Sequence, residues 1–150
     1  MVFDLQALSD RAEILELRSR YGRALDGKDW DLMRTVFAED AQADFALGKP
    51  FKGIEEIIRG CRSQMDSLDH TQHFMGNHEI ELDGDRARGR LKLIGGAYLR
   101  TDTGAPSACL RGNYVDEYVR TDEGWRISRR ELTIAWGEGN TGILSQSHTQ

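Results

Sequence analysis

Residues 70–99 read HTQHFMGNHEIELDGDRARGRLKLIGGAYL, and the rest of the expected fold builds on this segment. On each side of Asp83-Gly84, a dipeptide typical of hairpin turns, residue character changes with a period of two. After the turn, small or apolar residues alternate with arginine and lysine, as in a strand with one buried and one solvated face. We therefore predict two long antiparallel strands, with a bulge at Gly95-Gly96 where so long a strand must bend.

The first strand of this hairpin has two chemically different faces, because successive side chains of a strand point to opposite sides. One predicted face holds Thr71, His73, Met75 and Asn77, and the other holds Gln72, Phe74, Gly76, His78 and Ile80.

Two further strands follow the hairpin. The pattern predicts a loop over 101–106, a strand over 108–120, a turn over 121–124 and a last strand over 125–136. The tail, 137–150, has weak patterning, and we expect it to be mobile or docked on a neighbouring molecule.

The N-terminal part is helical. Two rows of apolar residues at helical spacing predict a first helix that ends at Gly27. Asp10 with Glu13 would form a capping box at its start, although Asp4 or Ser9 could also begin it.

Three shorter elements separate this helix from the hairpin. Asp29 would cap a short helix that contains Trp30, Met33, Val36 and Phe37. A strand over 41–47 and a third helix over 53–65 follow. Together the elements predict one α+β domain, a cone-shaped barrel in which three N-terminal helices pack into a curved, mainly antiparallel sheet. Its core would span about residues 8–136 of the chain, which is 150 residues long.

Composition and net charge narrow the classes of partner and the expected location of the protein. The net charge is −5 and basic residues are spread along the chain, which argues against a nucleic acid or membrane partner and favours a small molecule or a protein. Neither of the two cysteines, Cys61 and Cys109, belongs to a CxxC pair, and no leader-like start is visible, so we expect a cytoplasmic protein. No apolar run approaches the roughly 20 residues that cross a bilayer.

Asp26 and His73 are the strongest candidates for chemistry. If the fold joins them, a carboxylate orients an imidazole, the commonest device for moving a proton near neutral pH, and no cofactor is needed. Two alternatives remain: Asp26 could simply end the helix with Gly27, and His73 could be a core histidine bonded to the backbone. His70 and His73 would lie on opposite strand faces, so we predict no metal site.

Three segments of the chain resemble the SnoaL-like branch of the nuclear transport factor 2-like (NTF2-like) superfamily. They are ILELRSRY (14–21) followed by Asp26 and Trp30, HFMGN (73–77), and YVDEY (114–118) followed by GWRI (124–127). The resemblance covers about residues 8–136 and implies the cone-shaped α+β fold, whose members catalyse several different reactions.

Within that superfamily the pattern is most similar to bile-acid 7α-dehydratase, scytalone dehydratase and hexachlorocyclohexane dehydrochlorinase. The resemblance implies a histidine base at His73, an aspartate partner at Asp26, a donor at Tyr21 and an arginine at Arg130. The dehydrochlorinase has lysine where this chain has Tyr21, which favours an oxygen leaving group. Arg130 could instead belong to a solvated cluster with its neighbours, and Tyr21 and Asp26 would point about 140° apart on an ideal helix.

The first hypothesis is therefore a cofactor-independent lyase of the dehydratase type, acting on a bulky apolar hydroxy compound such as a steroid, terpenoid or polyketide. An isomerase or cyclase, or a non-catalytic binding or assembly subunit, is the alternative. The resemblance also implies a homo-oligomer, either a trimer or a dimer. We predict that the substrate pocket is lined by Trp30, Phe45, Met75, Asn77, Leu91, Leu93, Leu110, Tyr114 and Trp136.

Overall fold

The computed structural model describes residues 2–100 and 104–145. Its elements, in chain order, are α1 (Leu5–Asp26), α2 (Trp30–Met33), β1 (Phe37–Asp44), β2 (Phe51–Lys52), α3 (Ile54–Met65), β3 (His70–Asp83), β4 (Arg86–Tyr98), β5 (Ser107–Thr121), β6 (Gly124–Gly139) and α4 (Gly142–Ser145).

The strands form one six-stranded sheet in the order β2-β1-β6-β5-β4-β3. β1 runs parallel to β6, and the other neighbouring pairs are antiparallel. α1 packs against β3 and β6, and α3 packs against β1 and β2, so the apolar core lies between the helices and one face of the sheet. The predicted α+β architecture is confirmed; the sheet is open, with β2 and β3 at its edges in the described part of the chain.

The first helix begins earlier than the proposed capping box. Asp4 is its N-cap, because the Asp4 carboxylate accepts a hydrogen bond of 2.7 Å from the Ala7 backbone N–H. The Asp10–Glu13 box is therefore wrong, and the alternative start at Asp4 is right. The helix ends at Gly27 as predicted, where the Gly27 N–H donates to the Arg23 carbonyl.

The elements between α1 and α3 are shorter or shifted. The Asp29 cap of α2 is confirmed, but α2 ends at Met33, and Phe37 already belongs to β1. β1 ends at Asp44, whose carboxylate accepts the Ala46 N–H and turns the chain, so the predicted extension through residue 47 is wrong. The two-residue strand β2 was not predicted, because so short a strand exists only through its pairing with β1.

β3 and β4 form the predicted hairpin, but its irregularity lies elsewhere. β4 pairs without interruption through Gly95-Gly96, so the bulge predicted there is wrong. The shift occurs in β3 between Gly76 and Glu79. The buried face therefore changes along β3, and Phe74 is 68% exposed whereas Ile80 is only 8% exposed. The prediction that these two share a face is wrong.

The tail docks on its own chain as far as it is described. β6 continues to Gly139, and α4 then places Ile143 against Leu68 and Ala108, with Ile143 only 1% exposed. Residues 146–150 and part of the predicted 101–106 loop lie outside the described residues.

Asp10 has a structural role in place of the predicted cap. Its carboxylate accepts hydrogen bonds from the Arg120 guanidinium at 2.7 and 2.8 Å and from the Trp125 indole at 3.0 Å. Hydrogen bonding from Arg120 outweighs burial and lowers the Asp10 pKa from its ordinary value of 3.8 to about 2.

This shift predicts how Asp10 affects stability in acid. A folded-state pKa below the unfolded value stabilises the fold above pH 3.8, and this contribution is lost as pH falls through about 2. We expect Asp10→Asn to be less stable than wild type at neutral pH and to lose less further stability across that acid window, measured by urea unfolding. The control is Glu16→Gln on the exposed side of α1, which should follow the wild-type profile. Parallel acid profiles of Asp10→Asn and wild type would contradict the prediction.

Candidate active site

Asp26 and His73 meet at the junction of α1 and β3. The Asp26 Oδ1 lies 2.6 Å from His73 Nδ1, and its Oδ2 accepts the His73 backbone N–H at 3.0 Å. The Thr71 hydroxyl donates to Asp26 Oδ1 at 2.9 Å. The last residue of a helix is therefore tied at three points to the first part of a strand, and Thr71 is a site residue that the sequence reasoning did not find.

These contacts fix the charge of the carboxyl. Burial alone would raise the Asp26 pKa, but hydrogen bonds from the His73 ring, the His73 backbone N–H and the Thr71 hydroxyl lower it. An ionised Asp26 accepts from His73 Nδ1–H, so in the neutral imidazole Nε2 is the nitrogen that carries no proton and can accept one. His73 Nε2 has no hydrogen-bond partner in the described part of the chain.

The His73 ring forms part of the wall of a cavity of about 370 Å³ between the helices and the sheet. Apolar side chains from α1, α3, three strands and α4 dominate the wall, with few polar groups among them. Such a volume lies within the usual range for small-molecule sites. The polar or reactive wall residues are Tyr21, Cys61, Gln64, Thr71, His73, Tyr114 and Thr141.

Tyr21 and Asp26 do not point into one space, and His73 connects the two spaces that they line. α1 stays helical through Asp26, so the two side chains do point in different directions. Tyr21 lines the cavity, whereas Asp26 lies in a separate groove between α1 and β3. His73 lines both spaces, and its contact with the carboxylate links Asp26 to the cavity.

Arg130 lies beneath the cavity wall. It is fully buried and forms two hydrogen bonds to the Asp116 carboxylate, at 2.7 and 2.6 Å. Its guanidinium carbon lies 4.3 Å from the ring centre of Tyr21 and 4.2 Å from that of Tyr114, both of which line the cavity. The solvated arginine cluster is therefore wrong, and the tyrosine rings stand between Arg130 and the cavity.

A second buried arginine extends this polar network. Asp116 accepts a hydrogen bond from Tyr118, whose hydroxyl accepts one from Arg18 Nε at 2.7 Å. Arg18 also donates to His78 Nδ1 at 3.0 Å, and burial lowers the His78 pKa. The role of Asp116 was not predicted, because an acidic residue beside Glu117 in a strand has the same local pattern whether it faces water or a buried partner.

Four of the predicted pocket residues line the cavity. Phe45, Leu93, Leu110 and Tyr114 line the cavity beside His73. Met75 lines the groove that contains Asp26.

The other predicted wall residues lie elsewhere. Leu91 is inside the core, and Trp30 packs against that core. Asn77 lies in the β3 bulge with a positive φ of 51°, and Trp136 is 54% exposed. Asn77 and Trp136 line a groove on the outer face of the sheet. The bulge in β3 reverses the side to which Asn77 points, and β6 places Trp136 on the outer face.

Two further features bear on the type of site. Among residues 2–100 and 104–145, no group of three or more histidine, cysteine, aspartate or glutamate side chains is arranged to hold a metal ion. None of the helices in the same residues has the length and apolar character needed to cross a membrane.

Comparison with known proteins identifies the family. The model of the SnoaL-like domain matches residues 6–131, and the chain belongs to that family, as its sequence motifs indicate. The uncharacterized protein Rv2910c of Mycobacterium tuberculosis (strain H37Rv) is 32% identical over 127 residues, which cover 84% of this chain and 86% of that protein.

Solved structures share the fold. The Kfla4162 protein from Kribbella flavida is 29% identical, covers 93% of this chain and 99% of its own, and superposes with a TM-score of 0.87. The hexachlorocyclohexane dehydrochlorinase LinA-type3 from Novosphingobium barchaimii LL02 is 20% identical, with a TM-score of 0.81 over 93% of this chain and 96% of its own. At that identity the likeness to the dehydrochlorinase shows a common fold.

Proposed function

We propose that this protein is a lyase of the dehydratase type that removes water from an apolar hydroxy compound without a cofactor. The observation that carries the proposal is the 2.6 Å contact between His73 Nδ1 and Asp26 Oδ1, with the same His73 ring in the wall of an apolar cavity. An oriented imidazole beside a substrate cavity can remove a proton from carbon.

His73 and Asp26 divide the work in this proposal. His73 Nε2 accepts the substrate proton, and Asp26 holds the tautomer that leaves Nε2 free and stabilises the imidazolium that forms. Asp26 stays behind the ring, in its own groove, so it does not compete for the substrate. No redox or group-carrier chemistry is needed for the loss of water.

The size and character of the cavity support the substrate class. Leu25, Phe45 and Leu93 are among the apolar side chains that would hold a ring system, and about 370 Å³ admits a molecule of two to several rings. Steroids, terpenoids and polyketides have such skeletons with isolated hydroxyl groups.

The comparisons support the class of reaction. The dehydrochlorinase of the same fold is named for an elimination, and an elimination also begins with removal of a proton. An isomerase on a similar substrate is the alternative, since it starts with the same step and returns the proton elsewhere. The open cavity beside His73 favours an enzyme over a subunit whose histidine is packed in its core.

The experiment is a screen of hydroxysteroids and related compounds for loss of water by mass spectrometry. We expect at least one compound to lose water with the wild type and not with His73→Ala. A product of unchanged mass with a moved double bond would assign the isomerase. Compounds that bind in the cavity and remain unconverted throughout the screen would contradict both enzyme assignments.

We also propose that the protein is a homo-oligomer that uses the outer face of its sheet. Phe74, Ile94, Arg111 and Trp136 lie in register across β3, β4, β5 and β6. Three of these are exposed apolar side chains, which is typical of an interface.

We expect light scattering to give the mass of a trimer or a dimer at micromolar concentration, and Phe74→Glu to shift it towards the monomer. The control is Leu8→Glu, which places the same charge on an exposed apolar position of α1 and should leave the mass unchanged. A monomeric wild type would contradict the proposal.

A further inference from the structure

Gly95 lies on β4 and lines the cavity, and neither the backbone nor the packing of the fold requires its missing side chain. Its φ is outside the left-handed region, and β4 pairs without interruption through this residue. A Cβ built on Gly95 would lie no closer than 3.8 Å to its nearest neighbours, which is ordinary van der Waals contact. Because a glycine inside a strand weakens that strand, its presence here has another cause.

Two other glycines of the sheet show what a structural requirement looks like. A Cβ on Gly89 would lie 2.2 Å from the Glu79 carbonyl oxygen. A Cβ on Gly112 would lie 2.6 Å from the Thr133 carbonyl oxygen. Both positions need glycine because a neighbouring backbone approaches too closely for any side chain. At Gly95 no backbone approaches so closely, and the free space belongs to the cavity.

The space above Gly95 adjoins the proton-accepting nitrogen of His73. The two residues are paired in register on β4 and β3, so both face the cavity from neighbouring strands. A Cβ on Gly95 would lie 3.8 Å from His73 Cδ2 and 3.9 Å from His73 Nε2. A substrate carbon reacts when it lies about 3 to 3.5 Å from the base. The position of the missing Cβ is therefore close to the position that the reacting carbon must occupy.

We propose that Gly95 is a specificity-determining residue, whose missing side chain leaves a slot for the reacting carbon of the substrate. The inference rests on the proposed lyase function and narrows its substrate class. In this slot the reacting carbon lies against the backbone of β4, so a branch on that carbon would collide with the strand. The substrate is therefore an apolar hydroxy compound whose proton-donating carbon is an unbranched CH2 group.

The stability of Gly95→Ala separates this role from a structural one. We expect its Tm to equal or exceed that of wild type, because alanine adopts this backbone conformation without strain and restricts the unfolded chain. Gly112→Ala is the contrasting variant, and its Tm should fall because the added methyl group meets the Thr133 carbonyl oxygen. A Gly95→Ala protein that loses as much Tm as Gly112→Ala would assign Gly95 a structural role and overturn the proposal.

Chemical modification of His73 by diethyl pyrocarbonate probes the slot without catalysis. The reagent acylates an unprotonated histidine nitrogen, and peptide mass mapping reports each histidine separately. We expect modification of His73 to slow in Gly95→Ala and to be lost in Gly95→Leu, because the longer side chain covers Nε2. His70 is exposed on the same strand and serves as the internal reference in every sample.

Gly76→Ala is the matched control, because Gly76 lies on β3 and is not among the cavity-lining residues. Its added methyl group would lie 3.8 Å from Phe74 Cε1, so this position also accepts a methyl group without a clash. His73 should be modified at the wild-type rate in this variant. Equal rates of His73 modification in wild type and in folded Gly95→Leu would overturn the slot.

Kinetics on a compound found by the screen extend the test to the substrate. We expect kcat/KM to fall in Gly95→Ala and to fall further, on the order of 10²-fold, in Gly95→Leu, because a small displacement of the reacting carbon has an effect of that size. The wild type should convert a hydroxy compound with CH2 groups next to its carbinol carbon and reject the analogue with a methyl branch on each of those carbons. Equal conversion of the two compounds would overturn the substrate class.

The fate of the slot is separate from that of the lyase proposal. Modification of His73 depends only on access to Nε2, so it reports the slot whether or not the protein releases water from any compound. Loss of this modification in Gly95→Leu, in a protein that dehydrates nothing in the screen, would reject the lyase and leave the slot in place.

Discussion

Replacement of His73 by alanine is expected to lower kcat/KM by about 10²- to 10⁴-fold, the scale on which a positioned general base contributes. The reason is specific to the geometry. Among the described residues, His73 and Thr71 both line the cavity that would hold substrate and contact the Asp26 carboxylate, and of these two only His73 carries a base. Its Nδ1 lies 2.6 Å from Asp26 Oδ1, which is outside that cavity. No other histidine lines the cavity in the described part of the chain.

The contact between Asp26 and His73 also predicts how a substitution at Asp26 affects activity. Asp26→Asn should cost much of the same activity, because an amide in that position neither holds the Nδ1–H tautomer firmly nor stabilises the imidazolium. The double variant should lose little more than His73→Ala alone, since residues that act as one unit are not additive.

His70→Ala is the matched control, because His70 lies on the same strand and is exposed. It should retain wild-type activity. Steady-state kinetics on the substrate found by the screen, with circular dichroism to establish that each variant is folded, measure the effect. A folded His73→Ala protein with near-normal turnover would reject His73 as the base.

Asp116→Asn is expected to produce the largest loss of stability, about 3 to 5 kcal/mol, the cost of breaking a buried ion pair by removing one partner. Both Asp116 and Arg130 are 0% exposed, and Arg130 is held charged, its pKa raised by Asp116 although burial alone would lower it. The substitution conserves shape and removes the only carboxylate that contacts Arg130 within the described residues. Among the described residues it leaves Arg130 without a carboxylate partner, and it removes the carboxylate that Tyr118 links to Arg18.

Urea unfolding at neutral pH measures this loss, and thermal unfolding should show a decrease in Tm of about 10 °C or more. The control is Glu81→Gln, which removes the carboxylate of an ion pair whose side chains are 77% and 71% exposed. Because that pair is solvated on both sides, its removal should leave the free energy of unfolding almost unchanged. An Asp116→Asn protein as stable as Glu81→Gln would show that Arg130 does not depend on its partner.

The site could be predicted only in part. Asp26 and His73 were found because helix 1 and the following motifs resemble a family in which those positions meet. Tyr114 was among the predicted wall residues, and it does line the cavity. The bulge at Gly76 to Glu79 reversed the alternation in β3 and moved Asn77 away from the cavity, and nothing within a period-two pattern signals such an insertion.

Elements that depend on neighbours along the chain could be predicted from the sequence. Helical spacing, Gly27 and the Asp29 cap defined the helices, and the Asp83-Gly84 turn with its flanking alternation defined the central hairpin. These features are local, because hydrogen bonds and apolar faces repeat at short intervals.

The meeting of groups that are distant along the chain depends on the tertiary structure. The parallel pairing of β1 with β6, the docking of α4 and the Arg130–Asp116 pair beneath the tyrosines join residues far apart in sequence or on different strands. An arginine or aspartate has the same local pattern whether it faces water or a buried partner. The choice follows from packing of the whole sheet, which sets where water is excluded and a charge must find its partner.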